Sequence, residues 1–402
     1  MRLTLPDAEA AALRNHPRIS SARLQAQAAR EQITQTRAAL RPSATMFLTA
    51  TGADPGSTIS AGTVQTSSLS SRTATGFSAT QTLFDFGRNS VLTNSVRLRA
   101  DAQEAGIAAV RADVLLRVRE AYYRSLAAQA QSGLAEQTLA ARKVTLKQIA
   151  ALTASSLRST LDQSFAELNV SEAEIDLEQA RNRHGAALVD LAAAMGADIP
   201  ARVQLEEQPA PDGLPDSADG LTKMASEKRP EIQTARLLLQ SARRFADSER
   251  RLMLPTIGVT AAAGLLGPRD ARLLPHYGGI GLNVSIPLFN GSLFTSRRRE
   301  ADLRADAVEQ DVRDLEIRVA REVRTAWLDA DTARRKLDLT ARHLEQARKT
   351  FRLARTRYEA GLGTIVEFTQ AQLSETAAEV GAVTARYEYL YRRALLDYAS
   401  GQ

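Results

Sequence analysis

Long stretches of the chain place apolar residues three and four positions apart, a spacing that predicts amphipathic α-helices. The two longest run without proline from Arg88 to about Ala151 and from Ser292 to about Ala360. At 1.5 Å per residue, each would form on the order of 100 Å of helix. Short breaks at residues 153–159 and 361–363 follow them, and each break leads into another helical stretch. The pattern therefore predicts two very long helical hairpins.

Each hairpin is preceded by a shorter helix and two extended segments. The shorter helices are predicted from Pro6 to Leu40 and from Leu221 to Leu252. In the extended segments apolar and polar residues alternate, which predicts strands with one apolar face. The alternation is clearest around Ile280, where Gly, Asn and Ser occupy the intervening positions. The four predicted strands are at about residues 43–53, 72–84, 256–265 and 277–288.

The chain is also an internal duplication. Two prolines in the first half recur 213 positions later, as the pairs Pro17 with Pro230 and Pro42 with Pro255. Further on the offset is 205, so that Leu83-Phe84-Asp85 matches Leu288-Phe289-Asn290, because the first half has a longer loop. A period of this kind indicates two copies of one structural unit. We predict a first repeat at residues 1–196, a linker at 197–220 that packs on the outside, and a second repeat at 221–402.

Composition excludes several classes of protein. The 52 Lys and Arg residues are interleaved with 46 Asp and Glu residues, so the net charge of +6 is spread over solvated helix faces and does not indicate nucleic-acid binding. The absence of cysteine excludes disulfides and thiolate chemistry. No apolar run reaches about 18 residues, which excludes a membrane-spanning helix. The first residues lack the apolar stretch of a signal peptide, so we expect that an exported protein has lost its signal here.

The strands allow two interpretations. Segments of about 10 to 12 residues match tilted strands that cross a bilayer, with apolar side chains toward lipid and polar ones toward a lumen. Four strands cannot close a barrel, and open sheet edges are not tolerated in lipid, so several chains would share one barrel; three copies would supply twelve strands. The alternative is a soluble periplasmic coiled-coil scaffold or adaptor whose strands form a small sandwich.

A set of motifs resembles the TolC family of outer-membrane efflux and secretion channels. The motifs are Asn-His-Pro-Arg-Ile at 15–19, Leu-Pro at 254–255, LFDFGR at 83–88 and RYEAGLGTIVEFTQAQ at 357–372. The resemblance implies a mainly α fold with a β-barrel contribution: a homotrimer with a twelve-stranded outer-membrane β-barrel, continued by a periplasmic α-helical barrel. It also implies an outer-membrane location in contact with lipid, a periplasmic adaptor and an inner-membrane pump as partners, and no catalysis, cofactor or nucleic acid.

Gate residues follow from the last motif. Family members often have an acidic residue at the position of Glu367, which a trimer would repeat as a ring of three carboxylates that favours cations. Gln370, where a second acidic residue sometimes stands, weakens that field. Asp162, the partner of Glu367 in the first repeat, is a weaker gate candidate. For both residues the alternative is an ordinary carboxylate in the first turn of its helix, where it complements the helix dipole. Tyr358 would hold a closed tip by a hydrogen bond, although a tyrosine at helical spacing more often only packs.

Two further sets complete the candidates. Gly361 and Gly363 are expected to supply the positive φ or the tight turn that reverses the chain. The hairpin-tip residues expected to contact an adaptor are Leu157, Ser159, Gly361, Leu362, Gly363 and Thr364. Four phenylalanines at the strand–helix junctions, predicted to form an aromatic girdle or to fill those junctions, are Phe84, Phe86, Phe289 and Phe294.

Catalytic and metal-binding motifs are absent from the sequence. The four histidines, His16, His184, His276 and His343, form no ligand pair at helical spacing, so we predict no metal site. No phosphate-binding or nucleophile motif occurs either, and we predict that the protein is not an enzyme.

Overall fold

The computed structural model describes residues 2–52, 58–61, 64–68, 72–198, 203–207, 213–215, 217–267 and 274–402. The helices are α1 Leu5–Asn15, α2 Pro17–Ala38, α3 Arg88–Ala154, α4 Thr160–Met195, α5 Asp219–Lys228, α6 Pro230–Arg250, α7 Leu293–Glu359 and α8 Ile365–Ser400. The strands are β1 Arg2–Leu3, β2 Ser43–Thr51, β3 Thr58–Ala61, β4 Val64–Ser68, β5 Arg72–Phe84, β6 Gln204–Leu205, β7 Thr256–Leu266 and β8 His276–Ser285. The chain is mainly helical, and the long hairpins are α3–α4 and α7–α8.

The single helices predicted over residues 6–40 and 221–252 are wrong, because each is two helices. His16 and Arg229 interrupt them with extended backbone, at ψ of 121° and 126°. The proline that follows each of these residues excludes the helical conformation before it. The same proline lacks an N–H group and fits the first position of the next helix. A short 3₁₀ turn, Arg251–Met253, then leads from α6 towards β7.

The two long hairpins have identical lengths. Helices α3 and α7 both contain 67 residues, and α4 and α8 both contain 36. Both return helices end at a left-handed glycine, Gly196 and Gly401, which has no Cβ to oppose that conformation. The second half of each repeat is therefore built in the same way residue by residue.

The strands form an antiparallel sheet in the order β2-β5-β7-β8. Strands β5 and β7 pair at its centre and so join the two repeats. In the described part of the chain, the outer edges of β2 and β8 have no partner strand. β8 ends at Ser285, earlier than predicted, and Pro287 just beyond it cannot donate to a ladder. A short hairpin, β3–β4, occupies the loop between β2 and β5 and was not predicted; residue 53, the predicted end of the first strand, lies outside the described residues.

The pairing register separates two faces of this sheet. Met46 pairs with Phe77 on one face, together with the apolar residues of β7 and β8. This apolar face is exposed, with Leu48 79% and Ile280 80% accessible. The opposite face consists largely of small and hydroxyl residues, among them Thr45, Ser78, Thr80, Thr260, Gly281 and Asn283. Soluble monomers rarely expose a contiguous apolar face of this kind.

The chain divides into two compact units that cut across the repeats. The tip unit contains residues 1–23, 105–233 and 314–402, and includes both hairpin tips. The sheet unit contains residues 24–104 and 234–313, and includes the four-stranded sheet with the first turns of α3 and α7. Each unit therefore takes segments from both halves of the sequence.

Part of the linker is buried against the helices of the tip unit. Val203 and Leu205 belong to the core of the tip unit, and β6 pairs in parallel with β1. The buried Tyr122 hydroxyl lies 2.9 Å from the carbonyl oxygen of Leu3 and 2.7 Å from that of Glu206. These contacts hold the linker against α3. Residues 199–202, 208–212 and 216 of the linker lie outside the described residues.

Candidate functional site: the tips of the helical hairpins

The two hairpin tips have the same backbone turn. Ser156 and Gly361 both have positive φ, 58° and 75°. The next residue in each tip, Leu157 or Leu362, donates its N–H to a carbonyl five residues back, at 2.9 and 2.8 Å. This is the Schellman arrangement that closes a helix C-terminus. Gly361 therefore supplies the positive φ that the sequence suggested, whereas its counterpart Ser156 adopts it with a side chain.

Gly363 has a different role from Gly361. It does not have positive φ, but a Cβ at this position would lie 3.3 Å from the backbone nitrogen of Tyr358 and 3.2 Å from a carboxylate oxygen of Glu367. Glycine here allows the close approach between the end of α7 and the start of α8.

Both return helices begin with a side-chain cap. Ser159 and Thr364 accept hydrogen bonds from the N–H groups of Asp162 and Glu367, at 3.2 Å in each case. The Glu367 carboxylate accepts the N–H of Thr364 in return, which completes a capping box. The structure thus engages Glu367 with its own helix N-terminus while leaving it exposed. Gln370, one turn further along α8, is exposed as well.

A hydrogen bond between two side chains joins the hairpins at their tips. The Tyr358 hydroxyl, at the end of α7, donates to a carboxylate oxygen of Asp162 on α4 at 3.1 Å. Tyr358 is buried, and burial raises its pKa to about 12. The Asp162 carboxylate also raises this pKa, and Arg158 lowers it. The sequence singled out both residues of this bond, and the structure brings them together.

Arg158 is the tip residue that sequence reasoning missed. Its guanidinium lies over the Tyr358 ring, 4.1 Å from the ring centre, and also donates to the Tyr358 carbonyl oxygen. The same carbonyl oxygen also accepts the backbone N–H of Gly361 at 3.0 Å. Arg158 lies in the break between two helices, and its partner Tyr358 is 200 positions away. No local sequence pattern predicts a contact over that separation.

An apolar cluster packs against Tyr358. Tyr358 stacks on Phe368 with ring centres 5.3 Å apart. Buried residues from three helices surround the pair: Ile149, Ala166 and Ile365. Next to them the buried Arg142 donates to the carbonyl of Asn169 at 2.7 Å. The tips are therefore held by packing as well as by the polar clasp of Asp162, Tyr358 and Arg158.

Large apolar side chains remain exposed at the ends of both hairpins. Leu157 is 70% and its counterpart Leu362 is 73% accessible. The capping residues Ser159 and Thr364 lie beside them and are exposed too. The tips thus present equivalent apolar points on the two hairpins.

The four phenylalanines belong to the sheet unit and do not form one cluster. The rings of Phe84 and Phe86 meet edge to face with centres 4.8 Å apart, and the two side chains are 50% and 41% exposed. Phe289 is almost fully exposed, and Phe294 is half-buried.

Within the described residues, no group of three or more His, Asp or Glu side chains is placed to hold a metal ion. No helix in the described part of the chain is long and apolar enough to cross a membrane.

Comparisons with known proteins agree on one family. The family model described as Outer membrane efflux protein matches residues 10–197 and 221–402. The antibiotic efflux pump outer membrane protein ArpC of Pseudomonas putida is 26% identical over 323 residues, which is 79% of this chain and 66% of that protein. The pyoverdine export outer membrane protein OpmQ of Pseudomonas aeruginosa is 25% identical over 71% of this chain and 60% of its own length. The chain thus spans less than two thirds of the length of these relatives.

Solved structures share the fold at low identity. The outer membrane channel CmeC of Campylobacter jejuni has a TM-score of 0.80 at 17% identity, covering 99% of this chain and 85% of that one. The open state of the MtrE outer membrane channel of Neisseria gonorrhoeae has a TM-score of 0.80 at 20% identity, with coverages of 99% and 88%.

Proposed function

The chain belongs to the outer membrane efflux protein family, and from that membership we propose that it is the outer-membrane exit duct of a tripartite efflux or type I secretion system. Three copies form the duct. A periplasmic adaptor and an inner-membrane pump deliver substrates to it, and the duct passes them to the outside without chemical change.

The four-stranded sheet is the observation that carries this proposal. Its strands of 9 to 13 residues are long enough to cross a bilayer when tilted. One face is apolar and exposed, the other is small and polar, and the outer edges of β2 and β8 lack partners among the described strands. Unpaired edges are costly in lipid, so β2 of one copy pairs with β8 of the next. Three sheets then close a twelve-stranded barrel around a polar lumen.

The junction phenylalanines fit the interface of such a barrel with the periplasm. Phe84 is the last residue of β5, and Phe86 and Phe289 lie just beyond β5 and β8 at the same end of the sheet. All three are exposed in the single chain. Aromatic side chains prefer the boundary between hydrocarbon and water. Together with Phe294 they form a girdle that faces lipid head groups.

The gate lies at the hairpin tips. The clasp of Asp162, Tyr358 and Arg158 holds the two hairpins of one protomer together and favours a narrow tip. Glu367 and Gln370 line the constriction, where three copies of Glu367 favour cations over anions. Opening requires the Tyr358 hydrogen bond to break, so the clasp sets how readily the tips separate.

The adaptor binds the same tips. Leu157 and Leu362 are exposed apolar points of the kind that anchor partner helices. Gly361 and Gly363 keep the adjacent turn free of side chains, and Ser159 and Thr364 fix the directions of the return helices. Three protomers present six such tips to the adaptor.

Reconstitution of detergent-extracted protein in planar bilayers tests the duct. We expect steady single-channel conductance with a preference for cations that decreases in Glu367→Ala. Glu359→Ala is the matched control, because Glu359 is an exposed tip carboxylate paired with Arg355 at 2.8 Å. Conductance unchanged by Glu367→Ala would keep the duct and remove Glu367 from the gate. A water-soluble protein that inserts in no bilayer would refute the duct in favour of the soluble scaffold.

A further inference from the structure

An open cavity of about 500 Å³ lies beside the first turns of α3, within the sheet unit. The end of α2 forms its other side. The lining residues that matter for binding are Arg37 of α2 and Asn89, Ser90, Thr93, Asn94 and Arg97 of α3. These side chains offer guanidinium, amide and hydroxyl donors. No Asp or Glu of the described chain lines the cavity.

Three of the donors in this cavity lack acceptors among the described residues. Arg37 and Arg97 are exposed and form no ion pair with a described carboxylate. Asn89 is only 6% exposed, and its amide nitrogen has no hydrogen-bond partner among the described residues. A buried N–H group without a partner is costly, and each such group in a native structure calls for an acceptor.

The nearby carboxylate of Asp85 does not fill this role. Its two oxygens accept the backbone N–H groups of Gly87 and Asn89, at 3.0 and 2.7 Å. It is therefore committed to the start of α3, and the side-chain donors of the cavity remain available to another group.

The local field also favours an anion. The cavity lies at the N-terminus of a 67-residue helix, where the helix dipole is positive. The sheet unit contains 19 arginines, no lysine and 13 Asp and Glu residues, so its excess of six positive charges equals the net charge of the whole chain. Arginine is the residue best suited to bind phosphate and carboxylate oxygens in pairs.

We propose that this cavity is a binding site for an oxyanion, a phosphate or carboxylate group held by Arg37, Arg97 and the Asn89 amide. The group belongs either to a dissolved solute or to the head group of an acidic phospholipid. The site goes beyond the duct function, because it assigns a ligand to the region where the strands meet the helices. It does not depend on the gate at the hairpin tips.

Titration of inorganic phosphate into protein in a neutral maltoside detergent, at low ionic strength, tests the site. Calorimetry should give saturable binding to the wild type that is at least tenfold weaker in the double variant Arg37→Gln/Arg97→Gln. Arg99→Gln is the matched control, since Arg99 is an exposed arginine of the same helix outside the cavity, and it should change affinity less than twofold. Asn89→Leu should weaken phosphate binding while preserving or raising the melting temperature, because it removes an unpaired buried donor.

The source of the oxyanion is decided in nanodiscs. Phosphate binding is measured in nanodiscs of phosphatidylglycerol and in nanodiscs of phosphatidylcholine. Weaker phosphate binding in phosphatidylglycerol alone shows competition and assigns the site to a lipid head group. Equal phosphate binding in the two kinds of nanodisc assigns the site to a solute. The proposal is overturned if the wild type shows no saturable phosphate binding, or if Arg99→Gln loses as much phosphate affinity as the double variant. Planar-bilayer conductance of the same preparations separates the two conclusions: a wild type that binds phosphate but never conducts contradicts only the duct.

Discussion

Removal of the Tyr358 hydroxyl is the change that most directly tests the clasp. Tyr358→Phe keeps the stacked ring and the Arg158 contact but deletes the 3.1 Å hydrogen bond to Asp162. A hydrogen bond to a charged, half-exposed acceptor contributes about 1 kcal/mol, roughly a fivefold change in an equilibrium. Three protomers that open together would add to about 3 kcal/mol, roughly a hundredfold shift toward separated tips.

Open probability in planar bilayers measures this shift. The matched control is Tyr398→Phe, which removes another tyrosine-to-carboxylate contact, from Tyr398 to Glu231 at 3.4 Å, away from the tips. We expect Tyr358→Phe to open the channel far more often than the wild type and Tyr398→Phe to leave gating unchanged. Equal gating in the two variants would falsify the clasp as a gate element.

The same bond has a defined pH range. Because burial raises the pKa of Tyr358 to about 12, above the ordinary value of about 10, its stabilisation is complete below about pH 10 and is lost as the pH rises toward about 12. We expect wild-type open probability to rise over this interval and that of Tyr358→Phe to remain flat, as measured by a pH series in the same bilayers.

Three other predictions concern stability and are measured by thermal unfolding in detergent. Tyr122→Phe removes the hydroxyl that donates to the Glu206 carbonyl at 2.7 Å, while the Leu3 carbonyl keeps the N–H of Glu206 at 3.1 Å, so it should destabilise the chain by about 1 kcal/mol; a loss of stability of only a few tenths of a kcal/mol would contradict that contact. Gly361→Ala places a side chain at φ of 75° and should cost about 1 kcal/mol, whereas Gly133→Ala, inside α3 with open space around it, should stabilise by about 0.5 kcal/mol. Arg229→Met leaves the partly exposed Glu231 with only the longer contact from the Tyr398 hydroxyl, at 3.4 Å, and should cost about 2 kcal/mol; an unchanged melting temperature would show that this ion pair is dispensable.

Arg229 also predicts a difference at acid pH. Burial alone would raise the pKa of Glu231, but the hydrogen bond from Arg229 holds it below its ordinary value. The pair therefore stabilises the fold above about pH 4.3, and this stabilisation is lost as the pH falls further. Melting curves of the wild type should show this acid loss, and those of Arg229→Met should show less of it.

Much of the fold was predictable because its determinants are local or periodic. Alternation around Ile280 and the proline-free runs of α3 and α7 identified the strands and hairpins from spacing alone. The duplication placed the tips at matching positions, and Glu367 and Asp162 were recognised as first-turn residues because capping depends on neighbours three positions away. Pro17 carries a local signal for the break at His16, because the residue before a proline is disfavoured in helical conformation, but the apolar spacing on either side of it predicts one continuous helix.

Only the tertiary structure determines the contacts between residues that are far apart in the chain. Arg158 stacks on Tyr358, Leu205 is buried beside β1, and Asn89 lines a cavity with Arg37, and none of these pairs shares a local pattern. The exposure of the apolar face of the sheet is likewise a property of the tertiary structure, because it depends on how other elements pack. Local spacing determines which elements form, since their hydrogen bonds close within a few residues, whereas packing of the long helices determines which side chains meet and which donors remain without a partner.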